Sequence, residues 1–120
     1  MIEPLETFPD NVLGFVCHGH VTKKDYETVL IPRVERALAA HERIRLYYEI
    51  GSDFESIDPG AMWEDTKVGM SHLNRWERFA VVSDIEWIRH AVQIFGFLMP
   101  GEFRVFSASQ AASAKAWIVS

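Results

Sequence analysis

The chain predicts an α/β fold, a mixed and mostly parallel sheet with helices, in the order ββαβαβαβα. Three observations support this. Apolar or alternating runs at 12–21, 44–50, 79–83 and 103–106 read as strands. Stretches of roughly 10–18 residues with helical period separate them, and connections of that length imply parallel pairing. The opening segment, 2–8, instead meets the next strand across the turn Pro9-Asp10-Asn11, which adds an antiparallel edge.

Each element has its own signal. In 12–21, Leu13, Phe15 and Cys17 point one way, and Gly14, Val16, His18 and His20 the other. Thr22 is a helix N-cap, with Asp25 three residues on as a variant capping box. Tyr26, Val29, Leu30, Val34, Ala37, Leu38 and His41 follow the helical period over 23–41, and Pro32 should kink that helix. Ile44, Leu46, Tyr48 and Ile50 form one face of a third strand, after which 51–58, rich in turn formers and acids, reads as a loop. Asp58-Pro59 opens a second helix over 59–73, with Met62, Trp63, Met70 and Leu73 as apolar contacts and Gly69 as a weak point. After the buried strand 79–83, Asp84 caps a third helix that Pro100-Gly101 ends. A last helix over 109–119 should pack through Ala112, the stem of Lys115, Ala116 and Val119. With no repeat, linker or low-complexity tract, 1–120 reads as a single domain.

Composition narrows the classes of function. Apolar residues are 48% and charged residues 24% of the 120, close to the average globular domain. A net charge of −5 disfavours nucleic acid, which needs a concentrated basic face. It equally disfavours electrostatic adhesion to an anionic bilayer, leaving apolar insertion as the membrane route. Cys17 is the single cysteine, so no internal disulfide forms and a reducing compartment is expected. The start has no basic segment followed by an apolar run, and no apolar run is long enough to span a bilayer. The expected location is cytoplasmic, with peripheral membrane contact as the variant.

Signatures of catalysis are weak. Glu49, Asp53, Glu55, Asp58, Glu64 and Asp65 could attract a hard cation, but they match no metal-loop spacing and equally suit a helix start. His18 and His20 share a strand face and could share a metal, yet a third ligand is missing nearby. Cys17 lies in an apolar strand, and no serine fits a nucleophile elbow. Neither an enzyme, a catalytic residue, a metal nor a cofactor is expected.

The strongest positive feature is the third helix. Ile94, Trp87, Leu98, Ala91, Phe95, Ile88, Met99 and Val92 fill an arc of about 160°, against roughly 100° for an ordinary surface helix. Phe97 falls outside even that arc, between Gln93 and His90. Aromatics gather in the same half of the chain: Trp63, Trp76 and Trp87 are assigned to the second and third helices with Phe95 and Phe97. The expected ligand or membrane-binding set is therefore Trp63, Trp87, Ile88, Phe95, Phe97 and Met99. A small apolar ligand, a membrane surface, a protein partner and a second copy in a homodimer are its candidate occupants.

Several segments resemble the SpoIIAA-like family. They are Phe8-Pro-Asp-Asn, Val21-Thr-Lys-Lys-Asp-Tyr with Leu30-Ile-Pro, and Ile44-Arg-Leu-Tyr-Tyr-Glu-Ile. Asp58-Pro-Gly-Ala-Met-Trp-Glu-Asp, Arg78-Phe-Ala-Val-Val-Ser-Asp-Ile-Glu-Trp-Ile and Phe95-Gly-Phe-Leu-Met-Pro-Gly-Glu-Phe-Arg-Val-Phe complete the match. This is a branch of the STAS superfamily of sulfate-transporter and anti-sigma-factor-antagonist domains, with kinship to CRAL-TRIO lipid carriers. The resemblance implies a STAS-like mixed sheet with helices and a non-enzymatic binding module or signalling adaptor. Anti-sigma-factor antagonists carry a phosphorylatable hydroxyl in an Asp-Ser-Ser-Gly-like sequence at the start of the second helix. Here Asp58-Pro59-Gly60-Ala61 stands in that place, and Ser56 is the hydroxyl left nearby as a candidate for modification.

Overall fold

The computed structural model describes residues 1–61, 67, 73–97 and 101–120, the side chains of Leu73 and Phe95 excepted. Five strands lie in the order β1-β2-β3-β4-β5. They are β1 (Ile2–Leu5), β2 (Val12–Val21), β3 (Ile44–Ile57), β4 (Trp76–Val82) and β5 (Glu102–Phe106). β1 pairs antiparallel with β2, and the remaining neighbours pair in parallel. Helix α1 covers 23–40, α2 is Glu86–Phe97 and α3 is Ala111–Val119. Of the second predicted helix, 59–61 and Lys67 are helical, while Met62, Trp63, Gly69 and Met70 lie outside the described residues.

The capping box forms as predicted: Thr22 Oγ1 accepts the Asp25 N–H at 3.1 Å, and Asp25 Oδ2 accepts the Thr22 N–H at 2.9 Å. The irregularity expected at Pro32 takes the form of a π turn, Tyr26–Leu30, closed by Ile31 N–H donating to Tyr26 O. A proline crowds the carbonyl four residues before it, and one wide turn upstream relieves that crowding without ending the helix. Tyr26 is buried, and its hydroxyl meets the Tyr48 hydroxyl at 2.6 Å.

Every parallel connection steps to the next strand in the same direction, and right-handed crossovers then place the helices on one face. On that face Leu30, Val34 and Leu38 of α1 pack with Phe15, Cys17, Leu46 and Phe79 of the sheet, and Phe103 lies against this cluster. The opposite face is covered by α3, whose Ala114 and Ile118 pack on Val12, Tyr47, Ala80 and Val82.

Several boundaries and faces differ from expectation. β1 ends at Leu5 rather than residue 8, and the Phe8 ring instead folds over Gly14, where a Cβ would come within 2.4 Å of it. The predicted loop 51–58 is mostly strand, since β3 continues to Ile57 by pairing with the end of β2. β4 begins at Trp76, so Trp76 belongs to the sheet, where its ring lies 4.8 Å from that of Phe79, and not to a helix. α2 opens at Glu86, and Asp84 Oδ1 accepts the Ala108 N–H at 2.9 Å instead of serving as that helix's cap. In α3 the inward residues are Ala114 and Ile118, flanked by Ala111 and Trp117, while Ala112, Ala116 and Val119 face out; Lys115 is exposed but reaches over the sheet, its Nζ 5.8 Å from the Tyr47 ring centroid. That helix is apolar on most sides, so its period contains no contrast from which to choose a face.

Candidate functional site

Among the described residues two regions bring chemistry-bearing side chains together, the outer face of α2 and the C-terminal ends of β2 and β3. α2 is tied to β4 at its start, where Ser83 Oγ accepts the Ile85 N–H at 3.0 Å and Arg89 Nη1 donates to Ser83 O at 2.7 Å. Toward its end Gly96 meets the Phe103 ring so closely that a Cβ would lie 2.6 Å from it. Ile88, Val92 and Gly96 recur every four residues and turn toward the sheet, with Ile88 only 8% exposed.

Trp87 and Ile94 of the predicted arc turn away from the sheet, as does Phe97 beyond its edge. Trp87 is 51% exposed, Ile94 70% and Phe97 93%. His90, Gln93, Ile94 and Phe97 border an open hollow of about 480 Å³. Of the expected binding set, Trp87 and Phe97 thus stand on one free face, to which Ile94 is added. Ile88 is buried and leaves the set. Trp63, Met99 and the Phe95 side chain lie outside the described residues.

At the second region the register between β2 and β3 slips. From Cys17 to Gly19 β2 advances two residues while β3 advances four, from Ile50 to Phe54. Gly19 takes a φ of +55°, the left-handed region that glycine enters without a Cβ penalty. The bulge gives the two histidines separate partners.

His18 Nδ1 lies 2.7 Å from Asp53 Oδ1 and its Nε2 lies 2.8 Å from Glu3 Oε1. Carboxylates only accept, so both ring nitrogens donate and the imidazolium is favoured. The hydrogen bond to Asp53, then that to Glu3, raises the His18 pKa above its ordinary 6.5, and the His18 contact lowers that of Asp53. His20 Nδ1 lies 2.5 Å from Ser56 Oγ and its Nε2 lies 2.7 Å from Asp58 Oδ1.

The shared metal considered for His18 and His20 does not suit this arrangement, since each ring is occupied by its own partners. Among the described residues no group of three histidine, cysteine or acidic side chains is arranged to hold a metal ion. Cys17 is buried in the core, as its strand position implied. Sequence alternation ends the third strand at Ile50 and places Ser56 on a loop, so its meeting with His20 depends on the continued pairing of β3 with β2. Phe54 and Ile57, apolar within an acidic segment, were the available signal that the strand runs on.

No helix of the described residues is long and apolar enough to cross a membrane. A family model described as SpoIIAA-like matches residues 12–119. The crystal structure of an uncharacterized protein from the DUF3478 family of Shewanella loihica PV-4, with a SpoIIAA-like fold, superimposes with a TM-score of 0.72 at 27% identity. That comparison covers 98% of this chain and 92% of the other. None of the curated proteins matches by sequence. Fold, strand order and the match along nearly the whole length agree: the chain belongs to the SpoIIAA-like family.

Proposed function

We propose that the domain is a docking module whose α2 face seats against the interfacial layer of a lipid surface. The observation behind this reading is the free apolar stripe of Trp87, Ile94 and Phe97, on a helix whose inward side is already occupied. Water-exposed side chains of that size on one helix face are costly to leave open. Each gains roughly 1.5–3 kcal/mol when fully desolvated, enough together for reversible adhesion. A membrane fits better than an enclosed small-molecule site, because the stripe stands on the outer side of a helix and borders an open hollow. With a net charge of −5, attachment should rest on insertion rather than on anionic lipid. The kinship to lipid carriers that the sequence resemblance implied accords with an apolar ligand class.

Flotation with zwitterionic vesicles tests the reading, run alongside vesicles enriched in anionic lipid and a sedimentation measurement of the free protein. Binding to zwitterionic vesicles, no stronger on anionic ones and lost in Phe97→Asp and Ile94→Asp, is the expected result. Absence of flotation together with dimers that these variants dissociate would give the face to a second copy. Absence of both would hand it to a protein partner, the adaptor reading.

A further inference from the structure

We propose that Ser56, His20 and Asp58 form a second site, with Ser56 as nucleophile toward small activated acyl esters or thioesters. It stands independently of the docking reading. Three side chains from the ends of β2 and β3 make one hydrogen-bonded chain, Ser56 Oγ to His20 Nδ1 at 2.5 Å and His20 Nε2 to Asp58 Oδ1 at 2.7 Å. In parallel register His20 stands opposite Ser56, and Asp58 N–H donates to Val21 O at 2.8 Å, which fixes the segment carrying the carboxylate. Neither Ser56 nor His20 is buried, so a reagent can reach both.

The polarity of the chain follows from its acceptor end. The Asp58 carboxylate only accepts, so the proton of the neutral imidazole sits on Nε2 and Nδ1 carries the lone pair. The Ser56 hydroxyl then donates to Nδ1. This is the arrangement in which a serine is activated by an adjacent base that a third group orients. The ring nitrogens are exchanged relative to the serine-protease triad. The chemistry needs only that one nitrogen accepts and the other is held as a donor.

The balanced step is acyl transfer. Ser56 Oγ attacks the carbonyl carbon as its proton passes to His20 Nδ1. The carbon–oxygen or carbon–sulfur bond to the leaving group then breaks, and that group takes the proton from Nδ1. Water, deprotonated by the same nitrogen, releases the acyl group as the acid and restores Ser56. Asp58 is a positioning residue that keeps Nε2 protonated throughout.

The test is incubation of the full chain with p-nitrophenyl acetate and, separately, an alkyl fluorophosphonate, followed by peptide mass mapping. An adduct on Ser56 is expected, forming faster than on the exposed Ser52 and absent in Ser56→Ala. His20→Gln should slow it by about a hundredfold. Asp58→Ala should slow it at every pH, because Nε2 then loses the acceptor that holds its proton. The wild-type pH profile is decisive even if a variant fails to fold. A Ser56 rate that levels off once the imidazole is neutral supports the site. A rate that climbs steadily with hydroxide as at Ser52, no adduct at Ser56, or labelling indifferent to His20→Gln overturns it.

Discussion

His18 shows how one side chain couples three strands. Its imidazolium bridges Glu3 on β1 and Asp53 on β3 from its own place on β2. The sign of the pH dependence follows from the two shifts. A raised His18 pKa stabilises the fold below the ordinary 6.5 and is lost as pH climbs through the folded value. A lowered Asp53 pKa stabilises it above the ordinary 3.8 and is lost as pH falls. The contribution is therefore fullest between those two ordinary values. Urea titrations of wild type and His18→Gln should differ most in that window and converge at alkaline pH, whereas a constant difference would deny the charge its role. Tyr47 is held neutral: burial, reinforced by the neighbouring Glu49 carboxylate, pushes its phenol upward and keeps it a proton donor. Histidine pairing of this kind was not legible in the sequence. His18 and His20 share a strand face in any regular β pattern, and only the slipped register gives them different neighbours.

At the scale of elements, the orientation of α2 depends on one close approach. Gly96 lets the helix backbone reach the Phe103 ring of β5, and this sets which stripe points inward. Gly96→Ala would drive a methyl into that ring, so it should cost roughly 1–3 kcal/mol in chemical unfolding, as overpacked positions do. A neutral or stabilising result would mean that helix propensity outweighs packing there. α1 presents the contrasting case, in which local signals suffice. Its N-cap, acidic third position, apolar period and proline all act within a turn or two of chain, and the helix they describe is the one that forms. β3 was only half legible. Ile44 to Ile50 alternate by themselves, whereas 51–57 become strand because the end of β2 offers them hydrogen-bond partners.

For the molecule as a whole, strand order decides where function can sit. The order never reverses, so the sheet lacks the crevice at a topological switch point that serves many α/β proteins. Candidate surfaces move to a helix face and to the strand ends. α3 closes the far face and is pinned by two arginines: Arg45 Nη1 donates to Ile118 O at 2.9 Å and Arg78 Nη1 to Trp117 O at 2.9 Å. Cations at a helix C-terminus satisfy its free carbonyls and complement the dipole. Arg78→Ala also removes a guanidinium 5.1 Å from the Trp117 ring centroid. Hydrogen exchange should then quicken in α3 while β2 and β3 keep their protection; uniform quickening would show that the helix opens only with the sheet. By itself the sequence determined the α/β class, the order of elements, the first helix with its cap, and the surplus of apolar surface on α2. Those features rest on periods and caps that act over a few residues. The tertiary structure alone decided which stripe of α2 and α3 faces inward, how far β3 extends, and which partner each histidine meets. A helix greasy on most sides has no contrast to orient it, so contacts distant in sequence, Gly96 with Phe103 and Ile118 with Tyr47, make the choice.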